Sequence, residues 1–452
     1  MKNLSNTAIV MGGSIAGILA ARVLSDFFKE VIIIEKDEKS SFSKKRKSIP
    51  QGSHLHVLLD GGLKVFDELF PNFSKDLKSK GSIIVDSQND VAWYHFGVWK
   101  TRYISKLKAS FQSRPFLEHH LRNRLLEQCQ NIKLLDSTNI TGLNYDSKKD
   151  RIIGVKIENN KIINANFIID ATGRTSSNYK WLKEHDLETP YEEKIKIGMG
   201  YTSMLFKPKQ EYLKNCNWKA LFVYPYAPYN TKYGAVIPIE KDKNGDRYMV
   251  ALSGALEDHA SRDKEGFLNH AKLLANDKIY QFIKNSSSIS DFSYFKSPEN
   301  IRRYYEKLSN PPKGIISIGD TIAVVNPIYG QGMTVIAYEA KALQKSLKQG
   351  LKNIETRYYK EITPTINIAW DVTSGEDFRY PQVRGKRSLK LKFQNIYSKH
   401  LFILSGSNRN VWHDFAQVLH FIKHPLNIFR PHMVFNVIKS IIFKDTEYKG
   451  KK

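Results

Sequence analysis

The chain has 452 residues, 41% hydrophobic and 25% charged, which excludes a disordered protein and leaves room for two or three domains with ample core. Two cysteines, Cys129 and Cys216, exclude a disulfide framework or a cysteine metal centre and fit a reducing, cytoplasmic setting. The formal charge of +25 is spread along the chain without a nucleic-acid-binding module, so it reads as a lysine-rich surface and no nucleic-acid partner is expected.

Residues 8–11 pattern as a short buried strand, 15–28 as an apolar helix and 31–35 as a second strand. Lys2 and the apolar run 8–21 outline a signal peptide, but the strand that follows completes a β-α-β unit instead. No stretch approaches the roughly 18 uninterrupted apolar residues of a membrane span. Gly12, Gly13, Ser14, Ile15, Ala16 and Gly17 join the first strand to the helix. A helix start of this kind offers free N–H groups and a partial positive charge to a pyrophosphate. Small residues let the backbone approach the ligand. Glu35, followed by Lys36, ends the second strand 23 residues after Gly12, where a carboxylate accepts from a ribose diol. The central glycine of the usual pattern is Ser14.

Further along, 82–105 carries Trp93, Tyr94 and Trp99 and reads as an insertion, and 114–130 is a leucine-patterned helix. Strands are expected at 132–135, 152–157 and 167–170. From about 194 to 256 longer alternating strands suggest an antiparallel sheet, whose Tyr201, Phe222 and Tyr224 are candidates for a substrate pocket. A strand ending in Gly319-Asp320, then Pro327 and the Gly330-Gln331-Gly332-Met333 loop, builds a second anion-facing helix start. Helical patterns follow to the end. From Arg384 onward there are 14 Lys/Arg against three Asp/Glu, and 434–443 is apolar, so peripheral membrane contact through a basic amphipathic helix is an expectation for this region. His54 and His56 either contact a ligand or, by preference, are structural; no third ligand accompanies them, and no metal is expected.

Two such motifs about 300 residues apart, in this order, resemble the FAD-binding motifs of glutathione-reductase-type flavoproteins, specifically the para-hydroxybenzoate-hydroxylase-like superfamily. The resemblance implies an α/β fold: a Rossmann-like FAD-binding domain with a parallel sheet (1–81, 106–193, 290–345), an inserted antiparallel-sheet substrate domain (82–105, 194–289) and a C-terminal helical region (346–452). It implies that Asp320 binds the ribityl hydroxyls and that the 330–332 loop faces the isoalloxazine. The segment from Arg46 to His56, Arg114 at the head of the leucine-rich helix, the run from Asp170 through Gly173 to Arg174, and residues 370–381 match the same pattern. Ile140 joins the expected cofactor contacts.

The departures are specific. Ala323 stands where aromatic hydroxylases of this superfamily carry His, and Met333 where they carry Asn. Gly332-Met333-Thr334-Val335 is closer to squalene epoxidase. Asp170-Ala171-Thr172-Gly173 replaces an Asp-Gly tied to NADPH, so NAD(P)H is expected as donor either directly or through a separate flavin reductase. The implied activity is FAD-dependent monooxygenation, by epoxidation or hydroxylation, of a small apolar organic substrate such as a polyene, terpenoid or aromatic, with dioxygen and a flavin C4a-(hydro)peroxide. Alternatives are a prenyl reductase or carotenoid-type cyclase, and a flavin halogenase, whose Trp-x-Trp-x-Ile-Pro motif and clear catalytic lysine are missing. No catalytic residue is named.

Overall fold

The computed structural model describes residues 5–38, 46, 49–385, 387 and 389–443; Lys47 and Ser48, and the end of the basic region at 444–452, lie outside the described residues. The apolar runs at 8–11 and 31–34 are buried on both faces, which is the pattern of central parallel strands. They form a five-stranded parallel sheet in the order Ile315–Ser317, Phe167–Asp170, Ser5–Met11, Phe28–Ile34, Ile132–Leu135. Side chains alternate across it. Ala8 and Val10 face a core built with helices Ile15–Leu24, Arg114–Gln128 and Gly332–Leu347. Ile9 and Met11 face the three-stranded antiparallel sheet of Ile140–Asp146, Arg151–Ile157 and Ile162–Asn164. The first helix ends at Leu24, four residues short of the expected limit, because Phe28 already pairs with Ser5.

A large second sheet runs Ser293–Arg303, Glu192–Pro208, Gly245–Gly254, Lys232–Asp242, Ala220–Val223, Val91–His95, Val98–Trp99. Its pairs are antiparallel except that Val91–Tyr94 runs parallel to Ala220–Val223. Of the insertion expected at 82–105, Ile83–Asp86 pairs with Lys108–Phe111 in a separate three-stranded sheet, while 91–99 shares the large sheet with the strands of 194–256. The large sheet also takes in 293–303, beyond the boundary drawn at 289, because residues 293–303 pair along most of the strand 192–208.

Helix Ile354–Asp377 packs on Gly332–Leu347. Helices Leu389–Leu404, Arg409–Leu419 and Pro431–Ile442 bury Leu401, Trp412, Phe415, Met433 and Val437 in a core that also accepts Phe96 and Tyr226. They thus close one end of the large sheet. Among the described residues no helix is long and apolar enough to cross a membrane.

Candidate active site

Strands 5–11, 28–34, 167–170 and 315–317 all end at the same edge of the parallel sheet, and the glycine-rich turns lie there. In sheets of this kind ligands bind at that edge. Gly12 has φ +95°, and a Cβ on Gly17 would lie 1.9 Å from the Gly12 carbonyl oxygen, so both positions demand glycine. The first helix starts at Ile15 with no acidic residue in its first turn, leaving its N-terminal charge for an anion. Beside it, Arg114 donates to Ser14 Oγ (2.9 Å) and to Glu118 (2.7 Å), and Ser14 Oγ donates to Glu118 (2.6 Å). Ser14, the departure from the glycine pattern, thus braces an arginine that lines the cleft. Burial alone would raise the Glu118 carboxyl, but Arg114, Arg46 and Ser14 hold it below the usual carboxylate range.

Glu35 accepts from the Gly13 N–H (2.8 Å) and the Asp37 N–H (3.0 Å) and pairs with Arg46 (2.5 Å). Arg46 also reaches Asp37 and Glu118, so it ties the second strand to helix 114–128. Lys36 is exposed, outside the cavity wall. Ile140 starts the strand after the loop whose Thr138 N–H donates to the Glu35 carbonyl, and packs against the core under the sheet. Asp170 is fully buried, and its carboxylate accepts from Thr172 and Ser176 of its own loop rather than facing the cleft. Gly173 does line the cleft, with its Cα side toward Asp320.

At the second turn Gly319 has φ +70° and donates its N–H to Glu339 Oε2 (2.6 Å), which sits buried on helix 332–347. Burial pushes the Glu339 carboxyl up to about 7, against the pull of that N–H. Asp320 lines the cavity; burial raises its carboxyl while Arg174, Arg114 and Arg303 oppose the rise. The loop 326–333 is braced from below. Tyr201 OH donates to Asn326 Oδ1 (2.8 Å), Asn326 Nδ2 to Asp377 (3.0 Å), and Asn300 Nδ2 to Asp377 (2.6 Å). Burial, offset by Asn326 and Asn300, pushes Asp377 up to about 7. Tyr224 OH donates to the Ile328 carbonyl. Above the loop, a Cβ on Gly332 would meet nothing within 4 Å, and the buried Gln331 Oε1 has no partner among the described residues. An open approach beside an unsatisfied acceptor and a helix start fits a flat polar ring system.

These two turns open into one cavity of about 800 Å³. Ser14, Ala16, Arg114, Gly173, Asp320, Pro327, Gly330, Gln331, Gly332 and Met333 line it, together with Tyr201, Phe222 and Tyr224 from the large sheet. Gly12, Gly13, Ile15, Gly17, Glu35, Arg46, Asp170 and Gly319 support that lining from behind rather than forming it. His54 and His56 line the cavity as well. His56 donates from Nδ1 to the His54 carbonyl (2.9 Å), and burial beside Arg114 takes it down to about 3, so it stays neutral. Sequence reasoning missed Glu339 and the contribution of the C-terminal region beyond 381: Phe402, Trp412, Phe415, Leu426 and Phe429 continue the wall.

This arrangement, a parallel sheet with two glycine-rich helix starts joined by one cavity to a large, mostly antiparallel sheet, is a fold shared with known solved structures. Among solved structures the chain is similar to PqsL, a probable FAD-dependent monooxygenase from Pseudomonas aeruginosa. The TM-score is 0.61 at 16% identity, covering 83% of this chain and 97% of that one. It is similar to the flavin-dependent brominase Bmp2 with TM-score 0.67 at 13% identity, covering 98% of this chain and all of the other. In sequence it is 28% identical over 360 residues to protein Rv3254 of Mycobacterium tuberculosis (strain ATCC 25618 / H37Rv), 76% of this chain and 74% of that protein. No protein-family model matches it.

Proposed function

We propose that the chain is an FAD-dependent monooxygenase that transfers one oxygen atom from dioxygen to an apolar organic substrate. The observation that carries this reading is the single cavity in which two helix starts face one aromatic-walled space. FAD would place its pyrophosphate at helix 15–24, its adenosine ribose at Glu35, its ribityl chain at Asp320 and its ring at 330–332, and when bound it supplies the oxygen-transfer chemistry. The residues do the rest. The 332–347 helix start favours negative charge at the ring. Phe222, Tyr224 and Trp93 exclude water, and the neutral His56 adds no proton source beside it. Electrons would come from NAD(P)H, directly or through a partner flavin reductase. The test is oxygen uptake by the purified yellow protein with NAD(P)H, with and without added reductase, and the mass of the product from a polyene and phenol panel. An increment of one oxygen per uptake supports the reading; substrate reduction without oxygen uptake overturns it in favour of a reductase.

Halogenation is the second reading. A missing lysine counted against it in the sequence, yet Lys100 is buried in the cavity wall. Running the same assay with bromide or chloride decides: a halide-dependent brominated or chlorinated product selects this reading over oxygenation.

We also propose that the C-terminal helices rest on an anionic membrane. Helix 431–442 buries Met433, Val437 and Ser440, yet its opposite face exposes Phe435 (69%), Ile438 and Ile442 (67%). A helix apolar on both sides is at home in a core or a lipid interface. Leu389, Phe393, Ile396, Leu426 and Phe429 extend the exposed apolar surface. Asp414 is the sole carboxylate in the sequence 389–443, and it is paired with Lys423 and His432. Leu426 and Phe429 also line the cavity, so its mouth opens in this patch and would draw an apolar substrate from lipid. Flotation with vesicles of phosphatidylcholine, with and without about one third phosphatidylglycerol, tests it. Binding only to the anionic vesicles, lost in a Phe435→Ser, Ile438→Ser, Ile442→Ser variant, is expected. No binding, or a dimer broken by the same variant, overturns it.

A further inference from the structure

Beyond Tyr224 the cavity reaches a small polar group set in aromatic walls. Trp93, His95 and Lys100 all line it. The Trp93 and His95 rings are parallel within 9° and 5.9 Å apart, and Lys100 Nζ stands 5.9 Å from the Trp93 ring and 5.1 Å from the Phe402 ring. Tyr224, Phe96 and Trp412 complete the enclosure. Lys100 donates to the carbonyls of Phe402 and His95, which occupies two of its three N–H groups. Trp93 Nε1 and His95 Nδ1 are buried with no partner among the described residues. Glu376, the carboxylate that acts on Lys100, is itself held by two hydrogen bonds from Arg379 at 2.7 and 2.8 Å. Buried donors without partners are costly to retain, and a ligand that completes them recovers that cost.

We propose that Trp93, His95 and Lys100 form an anchor for a carbonyl or phenolic oxygen carried by an otherwise apolar, ring-bearing molecule. An oxygen acceptor has lone pairs for the indole N–H and the free lysine N–H, and His95 Nδ1 can donate or accept. A hydrocarbon leaves all three unsatisfied, and a cation meets the Lys100 ammonium. Burial lowers both Lys100 and His95 in proton affinity, and an acceptor oxygen on Lys100 Nζ would oppose that shift and favour the ammonium. Tyr224 packs its ring on Trp93 and His95 and sends its hydroxyl to Ile328, so one aromatic ring separates the anchor from the 326–333 loop. The anchored oxygen therefore points away from that loop, and the far side of the molecule faces it. Calling this molecule the substrate rests on the oxygenase reading above; the anchor itself does not.

The test is equilibrium dialysis of the full-length protein against 2-naphthol and naphthalene, a pair that differs by one hydroxyl. Wild type should bind 2-naphthol about tenfold more tightly or better, the value of one well-made buried hydrogen bond. Trp93→Phe, which removes the indole N–H together with part of the ring, should reduce that preference at least about threefold, because packing lost equally for both probes cancels in the ratio. Lys100→Met should do the same; because Lys100 also ties residues 95 and 402 together, Trp93→Phe stands as the variant free of that burden. Equal affinity for the two probes in wild type, or equal loss of both in Trp93→Phe, overturns the anchor. Dialysis does not depend on flavin, so a preference that survives in colourless protein would keep the anchor while the flavin reading fell.

Discussion

The Gly319 N–H donates to Glu339 at 2.6 Å, which pins the second glycine-rich turn to the helix that begins thirteen residues later. The pair sets a pH dependence. Glu339 is pushed up to about 7 by burial, and so is Asp377 beneath the 326–333 loop. Both folded values exceed those of exposed carboxyls, so the folded chain holds these protons more tightly than the unfolded one. The benefit is complete below the ordinary carboxylate range and is lost as pH rises through about 7. Each group costs on the order of 3 kcal/mol across that rise. Buried histidines such as His56 act in the opposite direction, so the contrast with a variant isolates the carboxyl: Glu339→Gln, which keeps an acceptor for Gly319, should gain in thermal midpoint relative to wild type as pH rises from about 5 to about 8. A difference between variant and wild type that stays constant over this range would show that Glu339 is not protonated in the fold.

Gly17 is expected to tolerate nothing larger. Its Cβ would sit 1.9 Å from the Gly12 oxygen, and 3.3 Å from Val10 on the strand behind. Gly17→Ala forces the helix off the sheet and should cost about 2–3 kcal/mol, with loss of retained flavin. Urea unfolding and the absorbance of the purified protein measure both effects. By contrast, Ser14→Gly restores the commoner residue but unbraces Arg114. We expect normal folding and FAD affinity weaker by about fivefold to tenfold, since one charge-assisted bond to the arginine is lost.

Much of this end of the molecule was legible in the sequence because its causes are local. A β-branched run, a glycine-rich turn and a helix occupy some 30 consecutive residues, and Glu35 follows from strand length alone. The supports were not legible. Arg46 reaches Glu118 across 72 positions, and Lys100 reaches the Phe402 carbonyl across 302. No periodicity encodes such pairs. Ser14 looked like an imperfect glycine motif until Arg114 and Glu118, about a hundred residues away, gave its hydroxyl work. The C-terminal helices patterned correctly as helices, but their part in the cavity depends on how they fold back over Phe96 and Tyr226.

Glu35→Ala and Asp320→Ala test the nucleotide placement itself. Glu35 receives two backbone N–H bonds besides the Arg46 pair, so Glu35→Gln is the gentler companion. Each alanine variant should lower FAD retention by about ten- to a hundredfold, as expected for removing a buried charged acceptor. The ratio of flavin absorbance to protein absorbance after dialysis reads it directly. Both variants purifying with full cofactor would falsify the arrangement of ribose at residue 35 and ribityl chain at residue 320.

Tyr224→Phe probes the coupling between the aromatic wall of the cavity and the 326–333 loop. The hydroxyl bonds the Ile328 carbonyl, while the ring packs against Trp93, His95, Phe222 and Tyr233. Phenylalanine keeps the ring and deletes only the tie, so the fold and FAD content should be unchanged. The Ile328 carbonyl is left without this donor and the loop gains freedom at the point where the cavity must stay dry. On the oxygenase reading, water entry would let two electrons from reduced flavin leave with dioxygen as hydrogen peroxide instead of giving oxygenated product. We expect a rise of about threefold or more in peroxide released per NAD(P)H oxidised, with little change in the rate of NAD(P)H oxidation, because positioning and not electron supply is disturbed. Peroxide and product measured in the same reaction separate the outcomes: unchanged partition would mean that the Tyr224 hydroxyl serves the fold alone.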